Sequence, residues 1–168
     1  GAQINAIEVS PHKPGVAYIA VSGYKMNDFR PYIYKLTDYG ERWRRLDEDL
    51  PNDNFVRVVR ADPERVELLY AGTEGGLFVS FDEGDHWQSL NMNLPSVPIT
   101  DLRVRQNTLI AATQGRGFWA LDELTVIRQL NAALSEKKVH VFTPKPSSLM
   151  RWGGRNAANE GKNPPSGV

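Results

Sequence analysis

Apolar and polar residues alternate along most of this chain in short runs, each closed by a turn. "INAIEVSP", "VAYIAVSG" and "PYIYKL" follow one another in residues 4–36. "FVRVVRADP", "LLYAGTEG" and "GLFVSF" repeat that order in residues 55–81, and "ITDLRVRQ", "TLIAATQG" and "GFWAL" repeat it in residues 99–121. Alternation at period two reads as strand, and the Gly, Pro, Asn and Ser clusters between runs read as turns. Helical spacing is scarce: residues 121–138 have room for one or two short turns, and "VHVF" at 139–142 reads as a further strand. From residue 143 the text becomes rich in Pro, Gly, Asn and Ser, which predicts an extended tail over 143–168.

A second repeat lies over the first. "LTDYGERWRRL" and "SFDEGDHWQSL" align as Asp-x-Gly-x-x-Trp-x-x-Leu, with Asp38 and Asp82 44 residues apart. A weaker copy, "LDELTVIRQL", offers Asp122, 40 residues beyond Asp82. Each unit thus reads as three strands, an Asp–Gly hairpin and a fourth strand. Four strands in about 40–45 residues is the period of a propeller blade. The predicted class is all-β: a partial β-propeller of about three four-stranded antiparallel blades, near residues 3–53, 54–94 and 95–142.

The hairpin chemistry is local. Gly40 and Gly84 supply positive φ without a Cβ clash. Asp38 and Asp82 can accept backbone N–H bonds inside the turn. Trp43 and Trp87 open the outer strand, where an indole wedged between sheets removes about 150–250 Å² from water. A turn that recurs in successive units serves folding, since one active site does not need it twice.

With those residues in view, the chain resembles the Asp-box (BNR) repeat family, whose pattern is Ser/Thr-x-Asp-x-Gly-x-Thr-Trp. Ser80, Asp82, Gly84 and Trp87 match, with His86 in place of Thr; Asp38, Gly40 and Trp43 match in the first copy, with Leu36 and Arg42 departing. The resemblance is nearest to sortilin-like and glycosyl-hydrolase-like propellers of large exported bacterial proteins. It implies structural Asp boxes and a secreted, periplasmic or cell-surface location.

Composition then narrows the function. The 20 basic and 20 acidic residues cancel, so no net field favours nucleic acid. No apolar run is long enough for a membrane span. There is no cysteine, and the three histidines lack metal-ligand spacing, so neither a metal nor a cofactor is expected. The first ten residues lack initiator Met and any signal-peptide pattern, and read as an interior piece or a processed product. No nucleophile elbow, zinc-protease or phosphate-loop motif occurs.

A ligand is expected on the rim opposite the Asp–Gly hairpins, because in a meander the strand 2–3 loops and the unit-to-unit loops share that rim. Those loops offer Tyr24, Lys25, Asp28, Arg30, Glu74, Gln114 and Arg116. Carboxylates beside aromatics suit sugar binding or glycoside hydrolysis. Three readings follow: a scaffold and interaction segment of a larger exported protein, part of a glycoside hydrolase, or a sortilin-like peptide-binding propeller. Propellers close with about 4–8 blades, so three form an arc. Both end blades are expected to expose apolar faces, covered by further blades of the same polypeptide, a companion fragment or a second copy.

Overall fold

The computed structural model describes residues 1–131, 134 and 139–144. Eleven strands form three antiparallel meanders. Sheet 1 is β1 (Gln3–Val9), β2 (Ala17–Gly23), β3 (Asp28–Thr37) and β4 (Arg42–Arg45). Sheet 2 is β5 (Val56–Ala61), β6 (Leu69–Thr73), β7 (Leu77–Ser80) and β8 (Gln88–Ser89). Sheet 3 is β9 (Ile99–Arg105), β10 (Thr108–Thr113) and β11 (Phe118–Leu121), followed by helix α1 (Leu124–Gln129).

Sheet 2 explains the apolar density of its sequence. Every residue of β6 is buried. Leu69 and Ala71 enter one core with Tyr18, Ala20 and Ile33 of sheet 1. Leu68, just before β6, and Tyr70 enter the other, with Ile99, Leu102 and Leu109 of sheet 3. A strand covered on both faces cannot alternate apolar with polar. Each Val, Leu or Ile so buried contributes about 1.5–3 kcal/mol. The sheets stack in chain order, with β1 against β5 and β5 against β9.

Arg60 on β5 ties all three sheets. Its Nε donates to the Leu102 carbonyl at 2.8 Å, one terminal nitrogen reaches Asp101 at 2.7 Å, and the other lies 3.4 Å from Glu8. Burial pushes the Glu8 carboxyl above its ordinary range, against the pull of Arg60.

Sheet 3 departs from the four-strand expectation. After β11 the chain turns into α1, and residues 139–142 join no ladder. Six residues are too few for a helix to persist alone; tertiary contacts hold this one. Leu124 and Ile127 are buried in the core between sheets 2 and 3. The Arg128 Nε donates to Asp62 at 3.0 Å, and Asp62 is fully buried. The Tyr70 hydroxyl and the Glu64 and Arg65 amides also donate to Asp62. In return the Arg65 guanidinium donates to the carbonyls of Ile127, Arg128 and Leu130 at the C-terminal end of the helix. Of the expected tail, residues 145–168 lie outside the described residues.

The two outward faces also differ, where both were expected to be apolar. Sheet 3 mixes Asp101 and Arg103 with Ile110, Ala112 and Phe118 across its register. Sheet 1 presents Ile7 opposite Ile19 and Ile19 opposite Tyr34, an apolar run that ends in Arg45 on the edge strand.

Asp62→Ala removes the acceptor of the buried Tyr70 phenol and of two turn amides and leaves the buried Arg128 guanidinium with Glu64 alone as its ion-pair partner. It is expected to cost about 3–5 kcal/mol, read as a lower urea midpoint, with Asp62→Asn milder because its amide oxygen still accepts. An unchanged midpoint would show that α1 is not anchored this way.

Candidate functional site

The Asp–Gly hairpins and the strand 2–3 loops lie at opposite ends of the strands. In the second hairpin nearly every polar group is used internally. The Ser80 hydroxyl donates to Asp82 at 2.9 Å and accepts the Gly84 amide at 2.8 Å. Asp82 accepts the His86 amide at 2.9 Å and lies 2.7 Å from its ring Nδ1. Glu83 and Gly84 carry φ of 58° and 95°. Burial opposes ionisation of Asp82, but the His86 and Ser80 bonds outweigh it and hold its carboxyl below the usual range. Asp82 in turn raises the His86 imidazole above 6.5.

This hairpin also grips sheet 1. The Trp87 indole, only 6% exposed, donates to the Leu46 carbonyl at 2.5 Å. A Cβ on Gly84 would sit 2.8 Å from Leu46. Glu83 pairs with both Lys13 and Lys35, and these cations overcome its burial and lower its carboxyl. Asp85 pairs with Arg44.

The first hairpin is built more loosely. Asp38, Tyr39 and Gly40 all take positive φ, and Asp38 pairs with Arg42 at 3.3 Å. Leu36 has no hydroxyl to do what Ser80 does. Trp43 is 58% exposed and donates only to the Gly40 carbonyl of its own turn, at 2.8 Å. In the third copy Asp122 accepts from Thr108 and is followed by α1 rather than a hairpin.

On the opposite rim, Tyr24 stacks on Phe55 with ring centres 5.2 Å apart, and Phe29 tilts against the same ring at 6.5 Å. The Arg57 guanidinium lies 5.1 Å over Phe55 and pairs with Glu74 at 2.7 Å. Lys25 lies 5.8 Å over Tyr24. Beneath them a shallow cavity of about 210 Å³ is lined by Gln3, Asn5, Tyr24, Phe55, Arg57 and Thr100. Tyr24 and Phe29 remain exposed.

The other sequence candidates stand apart from this cluster or are committed. Asp28 is held well below the carboxylate range by Arg30, then by the Tyr32 hydroxyl. Gln114 and Arg116 are exposed on the sheet 3 loop, and Arg116 contributes its carbonyl to the Trp119 indole at 3.1 Å. Phe29, Phe55 and Arg57 were not among the sequence candidates. "NDFRP" and "NFVRV" carry them, and nothing local signals that two loops 26 residues apart converge.

The rim offers aromatic faces bordered by paired charges. The acids among its sequence candidates, Asp28 and Glu74, are both ion-paired to arginine, and a general acid needs a carboxyl kept protonated. A larger hollow of about 810 Å³ lies at the other end, between Phe81, Asp82, His86 and Trp87 on one side and Leu130, Asn131, Leu134, His140 and Phe142 on the other.

Three solved structures share this arrangement of sheets. An ancestral GH74 enzyme is 24% identical over 69% of this chain, with a TM-score of 0.57. The GH74 xyloglucanase from Xanthomonas campestris is 19% identical over 74% of this chain, with a TM-score of 0.56. YCF48 bound to D1 peptide is 17% identical over 72% of this chain, with a TM-score of 0.50. The chain is a partial β-propeller. At these identities the likeness is one of fold. The chain spans 14%, 21% and 36% of those three structures. No family model and no curated protein matches it.

Trp87→Ala is expected to cost about 3–5 kcal/mol, and Trp43→Ala within about 0.5 kcal/mol, by chemical denaturation of this chain. Equal losses would contradict the difference in burial. The His86 contribution to stability is fully present below 6.5 and lost as pH rises through its raised value. Asp82→Asn is expected to lower the His86 midpoint, followed by NMR, because Asp82 is the largest cause of its rise. An unmoved midpoint would remove Asp82 as the cause.

Proposed function

We propose that this chain is a propeller segment of a larger exported protein, acting as a scaffold and interaction module. Its units divide near residues 3–53, 54–94 and 95–142, and residues 143–168 lead towards a following domain. The two Asp–Gly hairpins are structural Asp boxes. The observation that carries this reading is how the second hairpin uses its groups: Ser80 and Asp82 are bound within the turn, and Glu83, Asp85 and Trp87 are bound to sheet 1. The polar groups of that turn are committed to the fold, although the His86 ring stays exposed at the edge of the neighbouring hollow.

The interaction surface is the opposite rim. Tyr24 and Phe29 offer exposed ring faces beside Lys25, Gln3 and Asn5. Stacked aromatics with polar neighbours suit the apolar face of a pyranose ring, which favours carbohydrate over peptide as the ligand. The likeness to a xyloglucanase supports the same class at the level of fold. Ion pairing of Asp28 and Glu74 favours binding over hydrolysis, so the glycoside hydrolase reading ranks second.

The test is calorimetric titration with xyloglucan oligosaccharides, beside an assay for new reducing ends. Binding is expected without new reducing ends, and Tyr24→Ala or Phe29→Ala is expected to weaken it about tenfold, the equivalent of about 1.4 kcal/mol. New reducing ends would establish the hydrolase reading. Binding unaffected by either substitution would remove the rim from the interaction.

A further inference from the structure

We propose that the outward face of sheet 1 is a docking face for a further four-stranded blade, supplied by polypeptide outside these residues. The inference rests on the propeller reading but not on any ligand of the rim.

The face is apolar except at its edge, where Arg45 lies beside Tyr34. Residues paired across an antiparallel ladder share a side. Ile7, Ile19 and Tyr34 form one row, which ends in Arg45; Val9, Leu36 and Trp43 belong to the next, with Ala17 between the first two. Ile7, Val9 and Trp43 are more than half exposed. The other side of the same sheet, with Tyr18, Ala20 and Ile33, is buried against sheet 2.

The interface between sheets 1 and 2 shows what this face is built to meet. Four groups of the second hairpin cross to sheet 1: Glu83 to Lys13 and Lys35, Gly84 against Leu46, Asp85 to Arg44, and Trp87 to the Leu46 carbonyl. The 44-residue repeat puts Tyr39, Gly40, Glu41 and Trp43 at the same places in sheet 1. All four point to nothing comparable. Tyr39 is 88% exposed, Glu41 is exposed, and a Cβ on Gly40 would find only Leu36, at 3.9 Å. Half of an interface is therefore present twice, and its counterpart once.

The counterpart specifies the occupant. It must bring a fourth strand ending in an apolar residue, whose carbonyl takes the Trp43 indole and whose side chain covers Gly40. A cation before that residue would meet Glu41 as Arg44 meets Asp85. Sheet 3 of a second copy does not fit: it has no fourth strand among the described residues, and α1 follows β11 instead. Its outward face also carries Asp101 and Arg103.

The test is hydroxyl-radical footprinting, read by mass spectrometry at Tyr39 and Trp43. It compares the 168-residue chain with the longest polypeptide that its gene encodes. Oxidation of Trp43 is expected to fall about tenfold in the longer protein, as the change from 58% to 6% exposure between Trp43 and Trp87 implies. Glu41→Lys is expected to lower the melting temperature of the longer protein and leave that of the 168-residue chain unchanged. Equal oxidation of Trp43 in both proteins would overturn the proposal. So would protection of Trp43 in the 168-residue chain alone with a doubled mass by light scattering, which would make a second copy the occupant. Failure of carbohydrate to bind the rim changes none of these readings.

Discussion

A β-sheet apolar on both sides has to be covered on both sides. Sheet 2 meets that constraint in full, and the rest of the molecule is arranged around it. Its strand β6 exposes no residue: alternate side chains enter two different cores. The sequence therefore needs a sheet before it and a sheet after it. Sheets 1 and 3 supply these, and each then presents the same problem on its own far side. Sheet 3 reduces it with charge on β9 and closes its end with α1. Sheet 1 leaves it open.

Packing alone would let such sheets slide, and polar ties fix where they stop. Arg60 contacts all three sheets from the middle one. Asp62 is buried whole, and a buried carboxylate is tolerated only when paired and fully hydrogen-bonded. Arg128, Tyr70 and two amides meet that demand. Because Arg128 lies on α1, the same carboxylate that needs a partner also draws the chain away from a fourth strand. The reciprocal bonds from Arg65 then occupy the carbonyls at the end of that helix. One pair of arginines thus decides how sheet 3 ends.

The two rims divide the chemistry. At the hairpin end, charges and hydroxyls are spent on folding and on gripping the neighbouring sheet. At the other end, aromatic rings from sheet 1 and from the strand leading into sheet 2 stack with their outer faces in water. Exposed aromatic area contributes nothing to the core and is free for a ligand. Asp28 and Glu74 are paired with arginine, so the recognition proposed for this rim would rest on shape, stacking and hydrogen bonding rather than proton transfer.

The strands, their order and the hairpins were legible in the sequence because they depend on neighbours in the chain. Period two marks a pleated ladder, and Asp82, Gly84 and Ser80 close their turn within five residues. The repeat of that pattern was enough for a blade. Pairing through space was not legible. Trp43 and Trp87 occupy the same motif position, yet one is exposed and the other buried, because only Trp87 has a sheet in front of it. Tyr24 reaches Phe55 and Arg57 only once two sheets stack. Asp62 and Arg128 are 66 residues apart and each looks like an ordinary surface charge in the text. Local rules determine which residues make a strand or a turn. Which face a strand buries, and which charge becomes an anchor, is decided by the sheet that arrives beside it.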